Sequence, residues 1–201
     1  MFKIFCFVLI ISYGTIFCSS NCEVYFSPED HLAERLIRLI DQEKKSIKVA
    51  IYSMSHTQIA HALERAKERG ILVELIVDPM STKVKSPLHR LSKNKIALYV
   101  WDPPGTFMTK SGKVKKGLMH DKFCIFGDHI VWTGSFNFTY DAEARNEENV
   151  IILDSPQIAK KYLERFDEIK IRQCRAFPEY LALYPKKKSR KNSLLSYTAS
   201  N

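Results

Sequence analysis

Short apolar runs alternate with amphipathic stretches through the first half of the chain, and that alternation leaves few folds open. Residues 22–26, 46–52, 71–78 and 96–101 read as strands, and the continuous apolar run at 46–52 marks a strand buried within a sheet. Between the first two, Ser27 is placed to cap a helix that starts at Pro28 and runs to about Gln42, with acids near its positive end. Ile59, Ala60, Leu63 and Ala66 fall at helical spacing before a stop at Gly70, a shorter helix fits 86–92, and Ser155 with Pro156 opens a last helix reaching about Gln173. The order predicts an α/β fold: a mixed, largely parallel sheet sandwiched between helices, in one domain.

A chain of 201 residues is long enough to bury such a core without disulfides or metal. Residues 1–20 read differently: Lys3, an apolar run over 4–17, then Ser19 and Ser20. This is the pattern of an export signal cleaved after Ser20, which would send the protein to a periplasm or outside the cell; a retained membrane anchor is the alternative. The folded domain is then expected over 21–178, followed by a basic, disordered tail over 179–201. Loss of the signal leaves Cys22, Cys124 and Cys174, three thiols that make no closed framework, with a Cys22 to Cys174 bridge left open. No cysteine and histidine spacing suggests zinc.

The net charge of +9 is concentrated. Lys110, Lys113, Lys115 and Lys116 sit in one acid-free loop, and Lys186, Lys187, Lys188, Arg190 and Lys191 in the tail, while the remaining sequence sums to zero. Such clusters attract polyanions, either nucleic acid or anionic lipid headgroups. The loop leads directly into the stretch "HDKFCIFGDHIVWTGSFN", residues 120–137. There Gly127 and Asp128 separate two apolar runs, the signal for a two-residue hairpin turn. If Phe126 faces His129, then Lys122 opposes Thr133 and His120 opposes Ser135, so four polar groups meet at the open end with Asn137 two residues beyond. A histidine, an ammonium, a hydroxyl and an amide together suggest a gripped oxyanion, with phosphate the natural choice and His120 a nitrogen nucleophile.

On these residues the sequence resembles the phospholipase D superfamily, whose signature is H-x-K-x4-D-x6-G-S-x-x-N or the close form G-S-x-N. His120, Lys122, Gly134, Ser135 and Asn137 match, and Glu148 falls where the family has an acidic residue that hydrogen-bonds the nucleophilic histidine. "EVYFSP" and "IKVAIYSMS" look like the small single-motif branch of bacterial periplasmic nucleases and mitochondrial cardiolipin hydrolases, and the likeness spans about 23–172. Gly127 occupies the motif's aspartate position. Being at the turn, far along the strand from His120, it implies a structural difference rather than a catalytic one.

The resemblance implies phosphodiester hydrolysis through a phosphohistidine, with a second imidazole protonating the leaving oxygen and no divalent metal or other cofactor. Only one His-x-Lys is present, so a homodimer sharing one site supplies the second ring. His56, the intramolecular contender, reads as a surface residue at a helix start, and His129 is remote. The substrate class stays open. A nuclease would use Lys110, Lys113, Lys115 and Lys116 along a phosphate backbone; a phospholipase would seat them on anionic headgroups, with possible membrane association. A non-catalytic polyanion-binding dimer is the reading of another class.

Overall fold

The computed structural model describes residues 21–185 apart from 84, 104, 106, 109–113 and 116. The expected export segment, and the tail beyond residue 185, lie outside the described residues. From the amino end come β1 (Asn21–Ser27), α1 (Leu32–Gln42), β2 (Ser46–Ile51), α2 (Thr57–Glu68), β3 (Leu72–Val77), a 3-10 turn, α3 (Leu88–Lys93) and β4 (Ala97–Trp101). A small separate hairpin, β5 (Phe107–Met108) and β6 (Val114–Lys115), precedes β7 (Lys122–Phe126) and β8 (Ile130–Gly134). Then follow α4 (Tyr140–Ala144), β9 (Glu148–Asp154), α5 (Pro156–Gln173), β10 (Cys174–Ala176) and α6 (Phe177–Leu183).

Eight strands form one sheet in the order β1-β9-β8-β7-β2-β3-β4-β10. Only β2–β3 and β3–β4 are parallel pairs, joined by the α2 and α3 crossovers. The other pairings are antiparallel, so the expected largely parallel sheet is corrected to a mostly antiparallel one. The physical reason is connection length: a tight turn between β7 and β8 and the short α4 link to β9 permit only reversal, whereas a parallel pair needs a full crossover. Helices do cover both faces. Ile47, Val49 and Ile51 pack towards α1 and α2, while Ala50, Ile76, Phe123, Ile125 and Val131 pack against Phe166 and Ile169 of α5. Two charges inside this second layer, Lys48 and Glu74, are matched by Asp167 at 2.8 Å and Lys170 at 3.0 Å of α5, which fixes that helix on the sheet.

Several local expectations shift. The first helix starts at Leu32 instead of Pro28, because Ser27 is the last residue of β1 and its buried hydroxyl donates to the carbonyls of Ala142 and Asn146. The α5 helix is not the last, since α6 runs across the boundary expected at residue 178 and buries Phe177. A Cys22 to Cys174 bridge is ruled out by topology: the two cysteines sit on opposite edge strands. Seven strand spacings separate them, roughly 30 Å, against a limit of about 7 Å between bridged Cα atoms.

Candidate active site

The β7–β8 hairpin carries the site, and its register differs by one from the expectation. Phe126 pairs with Ile130 and Phe123 with Thr133, so the turn holds three residues, Gly127, Asp128 and His129. Both ends of the turn are tied to neighbours: the Gly127 N–H donates to the Ser46 carbonyl at 2.8 Å, and the His129 carbonyl accepts from the Ser155 N–H at 2.7 Å. Gly127 has φ +58°, as a turn glycine should. Phe123 and Thr133 are the last pair of the ladder, and direct opposition of His120 to Ser135 is lost.

Other contacts gather the polar residues. Beyond the strand, the Lys122 ammonium lies 3.2 Å from His120 Nδ1 and donates to the His120 carbonyl at 2.7 Å. The His120 ring packs on Tyr52 at 4.6 Å between centroids, and the Tyr52 N–H donates to the Asp121 carbonyl. Just upstream, the Met119 N–H donates to the buried Asp78 carboxylate at 3.0 Å, anchoring the approach to His120 on the end of β3. Lys122 is only 8% exposed. Burial pulls its ammonium below the ordinary lysine value, against the opposing charges of Glu148 and Asp121.

From the other strand, the Ser135 hydroxyl donates to Glu148 Oε2 at 2.5 Å and accepts from the Asn149 N–H. Asn137 Oδ1 accepts from the Ser53 N–H at 3.2 Å, which leaves its amide nitrogen without a protein partner among the described residues. Gly134 is obligatory for close approach: a Cβ there would stand 2.0 Å from the Asn149 carbonyl oxygen. The site is thus one lysine, one histidine and two neutral polar groups around a carboxylate, suited to gripping and attacking an anion.

A family model described as "Cardiolipin synthase, PLD-like domain" matches residues 36–170. The chain belongs to the phospholipase D superfamily. It is similar to a phospholipase D of Rickettsia conorii, 34% identical over 148 residues, which cover 73% of this chain and 68% of that protein. Similarity to a mitochondrial cardiolipin hydrolase of Mus musculus is 26% over 155 residues, covering 75% of this chain and 63% of that one. Two solved structures share the fold. Nuc of Salmonella typhimurium, a phospholipase D family member, has a TM-score of 0.66 at 28% identity, covering 79% of this chain and 98% of that chain. NucT of Helicobacter pylori has a TM-score of 0.70 at 26% identity, covering 79% and 99%. This chain is accordingly a phosphodiesterase of the superfamily.

Within that superfamily frame, Glu148 behaves differently from the expectation. It forms no hydrogen bond with His120; it holds Ser135 and, through Oε1, Asn146 at 3.0 Å, and its charge acts on Lys122. His56 is not a surface residue: it is fully buried, stacked on Tyr140, with Nε2 2.8 Å from Glu143 and Nδ1 accepting from the Ile59 N–H. Lys110, Lys113 and Lys116 lie outside the described residues, and Lys115 is placed by its backbone opposite Phe107.

Three residues near the site were missed from the sequence. Tyr52 supports the His120 ring, while Lys161 and Arg165 of α5 line a cavity of about 320 Å³ with His120 and Lys122. The four-residue spacing of Lys161 and Arg165 was visible as one helix face, but only the tertiary packing of α5 aims it at His120.

Proposed function

We propose that the protein is a non-specific nuclease that cleaves phosphodiester bonds at His120 by covalent catalysis, without a divalent metal, in a site shared by two copies of the chain. The observation that carries this reading is the pairing of His120 with a buried ammonium, 3.2 Å away, beside the Ser135–Glu148 pair and the unpaired amide nitrogen of Asn137. Lys122 and Asn137 grip the phosphate oxygens. His120 attacks phosphorus, and the bond to the leaving oxygen breaks as the second ring donates its proton to that oxygen. The second ring then takes a proton from water, whose oxygen displaces His120 from phosphorus.

Two features support a partner copy as the source of the second ring. His56 is sealed in the core by Glu143, and no other histidine lines the cavity at His120 among the described residues. Beside that cavity, the α5 face of β1 and β9 exposes Val24 and Phe26, 49% and 53% accessible, an apolar strip on which a second copy can sit. The nuclease reading is supported by Nuc and NucT, which are matched over nearly their whole lengths. A lipid substrate is the second reading, favoured by relatives named phospholipase D and cardiolipin hydrolase; it would employ residues 1–20 as an anchor instead of a cleaved export signal.

Protein lacking residues 1–20, assayed in EDTA against single-stranded DNA, RNA, cardiolipin and phosphatidylcholine, tests the proposal. Chelator-resistant cutting of nucleic acid is expected. Hydrolysis of lipid alone selects the second reading, and EDTA-sensitive hydrolysis overturns the mechanism. Phe26→Glu should yield an inactive monomer by sedimentation; a fully active monomer would refute the shared site.

A further inference from the structure

Tyr52 also lines a second cavity, of about 510 Å³, which runs from Tyr52 and Asn137 to Lys83 and Lys85. Lys85 and Ser86 are shared with a third cavity of about 330 Å³, whose wall adds Lys93. Together they make a continuous cleft leading away from the site. Among the described residues, Lys83, Lys85 and Lys93 have no carboxylate partner. The other charges along the cleft are compensated: Arg90 is bound by Glu64 at 2.7 Å and Asp141 by Arg145 at 2.8 Å.

Three uncompensated ammonium groups in a row are more than one phosphodiester can use. The apolar side chains lining the two cavities are Met54, which is buried, Met80, Pro87 and the Tyr52 ring, too few to receive an acyl chain. Hydroxyl and amide groups make up much of the remaining wall, as suits a sugar-phosphate backbone.

We propose that this cleft holds the phosphates of a single-stranded nucleic acid lying beyond the scissile one, so that Lys83, Lys85 and Lys93 set the enzyme's affinity for polymer. The assignment rests on the nuclease reading and deepens it. A recessed cleft admits a flexible single strand in preference to a stiff duplex, and lysine contacts to phosphate give sequence-independent, salt-dependent binding.

The test is the triple variant K83Q/K85Q/K93Q in the full chain, with two substrates: a fluorescent oligothymidylate and bis(p-nitrophenyl) phosphate, which carries one phosphodiester and no polymer. Hydrolysis of the small diester should be unchanged. At low salt, kcat/KM for the oligonucleotide should fall about tenfold or more, and the slope of log affinity against log salt, measured in a His120→Ala background, should lessen by about 2. Equal losses on both substrates overturn the cleft, as does undiminished cutting of the oligonucleotide; in the latter case the nuclease reading survives. If the unmodified enzyme hydrolyses the small diester and cardiolipin vesicles but neither cuts nor binds the oligonucleotide, the nuclease reading itself fails and the cleft with it.

Discussion

The two ends of the β7–β8 hairpin carry nearly the same chemical groups and do different things with them. At the turn, His129 and Lys45 surround Asp128, with Lys45 at 3.1 Å and His129 Nδ1 at 3.3 Å. At the open end, His120 and Lys122 stand near Glu148. The turn cluster is solvated, and its opposite charges touch and cancel. At the open end the ammonium is buried, contacts the imidazole instead of a carboxylate, and feels Glu148 only at longer range. A histidine, a lysine and an acid do not make a site by proximity alone; burial and an incompletely compensated charge do.

The contrast breaks most sharply by mutation at the open end. His120→Ala should lower kcat by at least about 10⁴-fold while leaving the unfolding temperature in place; measurable turnover by the variant in a steady-state assay would dissolve the distinction. Lys122→Met should remove most activity as well, yet keep or raise the unfolding temperature. Burial depresses the lysine, so its charged form costs stability at neutral pH, a cost relieved as pH rises through the folded-state pKa. For the same reason, the alkaline limb of the pH–rate profile should begin below the ordinary lysine range.

Gly134→Ala tests backbone approach at the same end. Its methyl group would meet the Asn149 carbonyl, and a destabilisation of about 2–3 kcal/mol is expected, read as a loss of roughly 5–10 °C in thermal melting. The smallest effect belongs to the turn. Gly127→Asp restores the motif's usual residue at φ +58°, costing about 1 kcal/mol with kcat nearly unchanged. A gain of orders of magnitude would show that the turn matters to chemistry.

What the sequence revealed follows the same division. The parallel strands β2, β3 and β4 were legible because burial on both faces writes an almost unbroken apolar run. His120, Lys122, Ser135 and Asn137 were legible as a motif, although their register was not: the ties from Ser46 and Ser155 that stretch the turn to three residues come from distant segments. Tertiary context also hid the contact of Glu143 with buried His56, which ties α4 to the start of α2. The cleft lysines could not be connected at all, since Lys83 and Lys85 precede a short, unremarkable helix that Lys93 ends, and only the packing of α3 beside β4 lines them up.

The pairing of β1 with β9 has a consequence for timing. Ser27, near the amino end of the described fold, sits opposite Glu148, more than a hundred residues downstream. A ribosome must therefore release nearly the whole fold before the first strand can find its neighbour and the acidic residue behind Ser135 can settle. Partly made chains are spared a working blade.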